Sequence, residues 1–202
     1  MYIDLSVPLN VQTPVYPGDP HVKIEPAGAL EADGWLDHVV TAPTHVGTHI
    51  DSPAHMLAGG KTLGAYPLER FAGRGRYVDV RAGFDLTAIR KLGIARGDIV
   101  LLHTGMSAHY HDSAYYKNSP HIPEDVARYL VEQGVSVVGM DMNGPDEHPF
   151  PIHRLLLGGD VLIVENLTGL EALAGKAFNV YAWPVRLDLD GAPVRVVAYI
   201  HD

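Results

Sequence analysis

The sequence of 202 residues contains no cysteine. Disulfides, thiolate metal ligands and a cysteine nucleophile are therefore excluded. A metal site in this chain would have to be built from nitrogen and oxygen donors. The sequence supplies these in quantity, with 12 histidines and 24 acidic residues.

Excess positive charge and long apolar runs are also missing. The formal net charge is -9, which argues against a nucleic-acid partner because phosphate contacts by Lys and Arg dominate such binding. The same charge disfavours anionic membrane surfaces, and we see no apolar run long enough to span a bilayer. Residues Met1–Leu5 show no basic stretch followed by an apolar one, so we expect no signal peptide and a cytoplasmic protein.

The motifs of several enzyme classes do not occur either. The sequence has no G-x-S-x-G nucleophile elbow, no P-loop and no G-x-G-x-x-G fingerprint. Gly73–Gly75 predicts only a turn. No pair of carboxylates stands out in the way that glycosidase chemistry requires.

Alternating apolar strands and short helices predict an α/β fold in a single domain spanning residues 1–202. With 47% apolar residues the chain can bury a sizeable core. The helix at 123–134 is the clearest, because proline can occupy its first position and Gly134 ends it. We expect further helices at 86–92 and 152–157, and strands at 2–8, 21–25, 35–42, 76–80, 98–104, 135–140, 160–164, 178–185 and 194–200.

Three histidines and a carboxylate are concentrated between Thr44 and His55. His45, His49, Asp51 and His55 all have odd numbers, so in an extended strand they would project to one face. In a straight strand His45 and His49 would lie about 13 Å apart, whereas the ligands of one ion converge at about 2.0–2.2 Å from it. The segment must therefore bend, and Gly47 permits this.

Two other readings of this segment are weaker. A helix is opposed by Gly47, by Pro53 and by β-branched residues between them. A polar loop whose histidines are unrelated would be a reasonable interpretation of a single histidine. It explains four potential ligands at same-face spacing less well. Further ligands must come from elsewhere, and the candidates are Glu165 at a strand end and His153 near the start of a short helix. Taken alone, each could equally be an ordinary ion-pair or surface residue.

A stiff loop near the N-terminus carries an aromatic ring. Residues 13–20 contain three prolines and a glycine, which excludes a helix. Tyr16 lies within this loop. Its ring could form a wall of a substrate site, or it could cap the edge of the core.

At the histidine cluster the chain resembles the cyclase family of metal-dependent hydrolases, whose best-known members are the bacterial kynurenine formamidases. The family motif H-x-G-T-H-x-D-x-P-x-H is matched at every fixed position of His45–His55. The resemblance extends to Ile3–Ser6, Val15–Asp19, Leu101–Gly105 and Val138–Asp141. His153 and Glu165 stand twelve apart, as in the family's distal ligand pair.

The resemblance implies a β/β/α swivelling-type fold with a central barrel-like sheet, usually in a homodimer. It implies that His45, His49 and Asp51 bind one metal ion. Asp51 and Glu165 would bridge to a second ion held by His153, and His55 would donate and accept protons. The cofactor would be Zn²⁺ or Mn²⁺, with one or two ions per subunit, since both accept nitrogen and oxygen ligands.

The resemblance also implies an activity, the hydrolysis of a small amide. The leading substrate is an aryl formamide such as N-formylkynurenine, which would place the enzyme in tryptophan catabolism. Tyr16 stands where these formamidases commonly have tryptophan, and it would bind the substrate ring. A cyclic amide such as isatin is the alternative substrate. A non-catalytic protein that uses the ion as a structural clip is the alternative to an enzyme.

Overall fold

The computed structural model describes residues 1–113 and 115–201. Within these ranges the chain forms four α-helices and eleven β-strands, joined by loops and short 3₁₀ turns. The helices are α1 (Leu30–Asp33), α2 (Leu86–Arg90), α3 (Glu124–Gln133) and α4 (Pro151–Gly158). The strands are β1 (Tyr2–Asp4), β2 (Lys23–Gly28), β3 (Asp37–Thr41), β4 (His49–Asp51), β5 (Ala72–Asp79), β6 (Ile99–His103), β7 (Val137–Met140), β8 (Leu162–Glu165), β9 (Phe178–Tyr181), β10 (Gly191–Pro193) and β11 (Val197–Ile200).

Nine of the strands form one mixed sheet in the order β1-β11-β9-β5-β6-β7-β8-β4-β10. Strands β5 to β8 run parallel, and the strands outside them pair antiparallel. The sheet curls into a half-barrel. These features confirm the predicted α/β class and the barrel-like sheet.

The two faces of the sheet carry separate apolar cores. Along β6, Ile99 and Leu101 belong to one core, and Val100 and Leu102 belong to the other. Successive side chains of a strand point to opposite faces, so a strand that is buried on both faces is apolar throughout. Helices α3 and α4 cover the second core. The continuous apolar runs at the centre of the sequence are explained by this burial on both faces.

Strands β2 and β3 form a separate hairpin. The sequence predicts both strands, but they pair with each other and not with the main sheet. Trp35, Leu36, Val39 and Val40 in and beside the hairpin are at least half exposed. The hairpin therefore presents an apolar surface.

The predicted strands at 2–8, 178–185 and 194–200 are shorter than expected, and the last of these begins at Val197. The first ends at Asp4, and Ser6 keeps only an isolated bridge before Pro8. The strand predicted at 178–185 ends at Tyr181, ahead of Pro184. Proline has no N–H to donate to a sheet ladder, so the first two strands do not continue through Pro8 and Pro184 as predicted. Strand β5 begins at Ala72, and the prediction of a turn at Gly73–Gly75 is therefore wrong. Every helix in the described ranges is too short or too polar to cross a membrane.

Candidate metal centre

The centre of the site is formed by two neighbouring strands. Strand β4 pairs antiparallel with β8, and His49 lies directly opposite Glu165. The Nε2 atom of His49 is 3.4 Å from Asp51 Oδ1 and 3.4 Å from Glu165 Oε2. All three side chains are buried. The end of β8 thus brings Glu165 to the residues of the histidine cluster.

The histidine cluster bends on both sides of β4. Gly47 has φ of 60°, a conformation that glycine adopts at little cost, and His45 precedes this bend. After β4, Pro53–His55 form a 3₁₀ turn that brings His55 back to the cluster. The rings of His45 and His55 lie 3.8 Å apart between centroids. The bend at Gly47 is therefore present, and only His49 and Asp51 lie on a strand.

Helix α4 supplies a further side chain of the site, that of His153. The Asp146 carboxylate accepts a hydrogen bond from the backbone N–H of Ile152 at 2.5 Å, in the first turn of the helix, and another from His153 Nδ1. This arrangement directs Nε2 of His153 to Glu165 Oε1, 3.2 Å away. A carboxylate on the outer nitrogen of a histidine is a common support for a metal ligand, because it fixes the orientation of the ring.

His49 is oriented by a second set of hydrogen bonds. Its Nδ1 donates to the carbonyl oxygen of Gly47 at 2.9 Å. Asn166 Nδ2 donates to the same oxygen at 2.9 Å, and Asn166 Oδ1 accepts from the Tyr115 hydroxyl at 2.8 Å. Sequence reasoning missed Asn166, although its position directly after Glu165 was a usable signal.

Asp190 was also missed. Its Oδ2 atom lies 2.7 Å from His45 Nε2 and 3.5 Å from His55 Nδ1. Its backbone oxygen accepts hydrogen bonds from the N–H and the hydroxyl of Ser52. Asp190 directly precedes β10, which pairs with β4. This pairing places its carboxylate beside both histidines.

The donor atoms have the spacing that a divalent ion requires. Two groups, His45 with His49 and Asp51, and Asp51 with His153 and Glu165, each offer donor atoms within 4.8 Å of one another. The same is true of a third group, His45 with His55 and Asp190, which does not include Asp51. Ligands at about 2.1 Å from a tetrahedral ion lie about 3.4 Å from each other, which is the separation of His49 Nε2 from both carboxylates. Asp51 Oδ2 is buried and has no hydrogen-bond partner among the described residues. The residues therefore fit a metal, with Asp51 common to the first two groups.

The electrostatics of the site favour a cation. Burial lowers the pKa of His45, but the carboxylates of Asp51 and Asp190 outweigh it and raise the pKa to about 9. Burial likewise opposes protonation of His153, yet Asp146 and Glu165 raise its pKa to about 10. Since these carboxylates hold a proton so firmly on two imidazoles, they provide a field in which a metal ion is stabilised.

Above these residues lies a cavity of about 390 Å³. Tyr16 forms part of its wall, and its ring meets that of Tyr116 edge to face at 5.7 Å. The five candidate metal ligands, which we call the donor cluster, are His45, His49, Asp51, His153 and Glu165. They share the lining of the cavity with aromatic, other apolar and polar side chains: Tyr16, Asp19, Pro20, Pro43, Gly47, His55, Met56, Tyr116, Asn143, Asp146, Phe150 and Asn166. The structure thus brings together all seven residues that the sequence singled out.

Two other polar residues at strand ends form hydrogen bonds within the fold and lie outside the site. His103 is buried and its Nδ1 is hydrogen-bonded to the Tyr77 hydroxyl at 2.7 Å. Asp141 is fully buried and accepts hydrogen bonds from the N–H and hydroxyl of Thr104 and from the N–H of Gly105. Neither residue lines the cavity.

Comparison with known proteins decides the family. The sequence profile of the cyclase family matches residues 3–147. The chain belongs to the cyclase family. The match contains the whole segment His45–His55 and ends before His153 and Glu165.

Relatives of this family match nearly the whole chain. Kynurenine formamidase from Bacillus thuringiensis subsp. konkukian is 30% identical over 203 residues, covering 97% of this chain and 96% of the relative. The structure of a potential metal-dependent hydrolase with cyclase activity is 28% identical, with a TM-score of 0.83 and coverage of 100% and 98%. An isatin hydrolase bound to thioisatinate matches in fold, with a TM-score of 0.86, 22% identity and coverage of 98% and 91%. These comparisons confirm the expectation of a metal-dependent hydrolase.

Proposed function

We propose that this enzyme hydrolyses the C–N bond of a small aryl amide, with an aryl formamide such as N-formylkynurenine as the leading substrate. The observation that carries the proposal is the position of the donor cluster. His49, Asp51 and Glu165 lie at the base of a cavity whose wall includes the rings of Tyr16 and Tyr116. An amide bound there would place its aromatic ring against the tyrosines and its carbonyl group toward the cluster.

In this proposal the donor cluster holds one or two ions of Zn²⁺ or Mn²⁺. His45, His49 and Asp51 would hold the first, and Asp51, Glu165 and His153 would hold the second. Such an ion supplies Lewis acidity toward water and the amide carbonyl. Asp146 and the Gly47 carbonyl keep the rings of His153 and His49 aimed at the cluster.

His55 has the environment of a general base. Burial lowers the pKa of His55 below its usual range, and the nearby Asp51 carboxylate only partly offsets this. The lowered pKa favours the neutral imidazole, which is the form that can accept a proton from the attacking water. Delivery of that proton to the amide nitrogen makes the amine a better leaving group. The role requires that His55 reach the substrate, and it lines the cavity.

Turnover of N-formylkynurenine and of isatin tests the proposal. Protein stripped by a chelator should be inactive, and Zn²⁺ or Mn²⁺ should restore hydrolysis, with the more effective ion identifying the cofactor. We expect higher kcat/KM on the formamide. Failure of the metal-loaded enzyme to hydrolyse any aryl formamide or lactam would show the proposal to be wrong.

A cyclic amide is the second candidate substrate. The isatin hydrolase has the same fold, and the flat rings of Tyr16 and Tyr116 suit a fused ring as well as an anilide. Higher kcat/KM on isatin than on N-formylkynurenine would select this candidate. The structural-clip alternative is disfavoured, because the donor cluster opens onto a cavity.

The assembly and cellular setting remain proposals. The homodimer implied by the family resemblance is supported by the exposed apolar side chains of the β2–β3 hairpin. Light scattering after size-exclusion chromatography tests it, and a monomeric mass would contradict it. The cytoplasmic location and the role in tryptophan catabolism require cell fractionation and a measured loss of formamide turnover in a deletion strain.

A further inference from the structure

A tight turn places a carboxylate at the mouth of the cavity. Tyr16–Asp19 form a turn closed by a hydrogen bond from the N–H of Asp19 to the oxygen of Tyr16, at 2.9 Å. Pro17 and Gly18 occupy its central positions, and Gly18 has φ of 104°, as a type II turn requires. The same turn therefore sets the backbone positions of Tyr16 and Asp19. Both line the cavity, and Asp19 is exposed.

The most exposed charged side chain of the cavity lining is a carboxylate, that of Asp19. Among the residues that the structure describes, no lysine or arginine lines it, whereas Asp19 stands at its mouth. The carboxylates deeper in the cavity lie against histidines, as Asp146 does against His153. Burial raises the pKa of the Tyr116 hydroxyl, and the charges of Glu165 and Asp19 raise it further. The charge of Asp19 therefore acts on the aromatic wall of the cavity.

We propose that the enzyme selects aryl amides that carry a positively charged substituent, such as a primary ammonium group, and that Asp19 pairs with this group at the mouth of the cavity. The inference rests on the proposed amide hydrolysis and adds the charge of the substrate. The ring lies against Tyr16 and Tyr116, and the amide points to the donor cluster. An anionic substituent at the mouth meets the Asp19 carboxylate and no lysine or arginine of the described lining.

Formanilide and two para-substituted derivatives of opposite charge test this selection. They are formanilide, cationic 4-(aminomethyl)formanilide and anionic 4-formamidobenzoate, each followed by formate release. We expect kcat/KM to be highest for the cation and lowest for the anion. The Asp19→Asn variant should lose about 3- to 10-fold in kcat/KM on the cation, as for a partly exposed ion pair. It should stay within about twofold of the wild type on formanilide.

Salt and a matched charge variant provide the controls. Added salt should reduce the preference for the cation in the wild type, because an exposed pair is screened. Glu132→Gln removes the same charge from an exposed position on α3 that does not line the cavity. It should leave the ratio of the three rates unchanged. Equal loss of the preference in Glu132→Gln and Asp19→Asn would overturn the inference.

The outcomes separate this inference from the proposed function. Hydrolysis of formanilide without a preference for the cation, or with a preference that survives in Asp19→Asn, overturns the inference and leaves the amidase activity standing. If formanilide is not hydrolysed, the proposed function fails. The preference for a positively charged substituent is then tested by measuring ligand binding. Calorimetry should then show tighter binding of 4-(aminomethyl)aniline than of 4-aminobenzoate, with the difference lost in Asp19→Asn. Equal binding overturns the inference.

Discussion

The imidazole of His49 is joined to the carbonyl group of Gly47, two residues earlier, by a hydrogen bond of 2.9 Å from Nδ1. A carbonyl oxygen only accepts, so the proton lies on Nδ1 and the lone pair lies on Nε2. That lone pair faces Asp51 and Glu165. Asn166 donates to the same oxygen and thereby helps to hold the tautomer that a metal ligand needs.

The Asn166→Ala variant should bind metal about 10- to 100-fold more weakly than the wild type. The substitution removes one donor to the Gly47 oxygen and leaves the buried Tyr115 hydroxyl without its acceptor. Competition with a chromophoric chelator measures the affinity. Tyr115→Phe is the control, because it removes only the outer hydrogen bond and should bind nearly as well as the wild type. Wild-type affinity in Asn166→Ala would contradict the role of this side chain.

His55→Ala should separate catalysis from metal binding. If His55 moves protons and does not hold the ion, the variant should keep its metal while kcat falls by about 100- to 10,000-fold. Elemental analysis and initial rates measure the two quantities on one sample. His38→Ala, at an exposed position of β3, should change neither. Loss of all metal in His55→Ala, with no separable effect on rate, would show that the proton-transfer role is wrong.

Asp190→Asn tests the carboxylate beside His45 and His55. The amide has nearly the same shape, but it accepts the hydrogen bond from His45 Nε2 less strongly and lacks the negative charge beside His55. We expect kcat to fall by about 10- to 100-fold with KM little changed, as for other residues that orient a ligand or base. Asp190→Glu should recover part of the rate, because the charge is restored. A variant with wild-type kcat would remove Asp190 from the mechanism.

A feature could be predicted from the sequence when the residues that form it lie close together along the chain. The segment His45–His55 could be predicted because its potential ligands lie close together in sequence, and Glu165 because a buried apolar run ends there. Asp190 could not, since its role depends on a contact with His45, 145 positions away. The only signal for Asn166 is its position directly after Glu165, because its partner Gly47 is 119 positions away. Strands β4 and β10 have only three residues each, too few to show a period of two. Their pairing is dictated by the curled sheet and leaves no local signal.

Gly191→Ala should displace His45 without unfolding the protein. A Cβ atom at position 191 would lie 2.5 Å from Cε1 of His45, closer than any stable contact, so the ring must move. We expect reduced metal content and a lower rate, with a melting temperature close to that of the wild type. Gly158→Ala is the matched control, because its Cβ would meet nothing nearer than Leu57 at 3.8 Å. Equal metal content in the two variants would argue against His45 as a ligand.

Asp98→Asn should destabilise the fold, and the size of the effect should depend on pH. The buried Asp98 carboxylate accepts two hydrogen bonds of 2.8 Å from Arg74 and one of 3.0 Å from Arg76. Burial raises the pKa of Asp98, but Arg74, the N–H of Ala95 and Arg76 outweigh it and hold the pKa below its usual range. Removing the charge should cost about 2 kcal/mol in the free energy of unfolding at pH 7.

The pH dependence of this loss follows from the sign of the pKa shift. The ionised Asp98 contributes its full stability above the pKa of the unfolded chain, about 3.9, and loses it as the pH falls through the lower folded value. The difference in unfolding free energy between wild type and Asp98→Asn should therefore be constant from about pH 5 to 8 and shrink below about pH 4. Urea unfolding at several pH values measures it. Asp79→Asn, which breaks an exposed pair with Arg81, should show a much smaller effect, and a difference for Asp98→Asn that grows on acidification would refute the assignment.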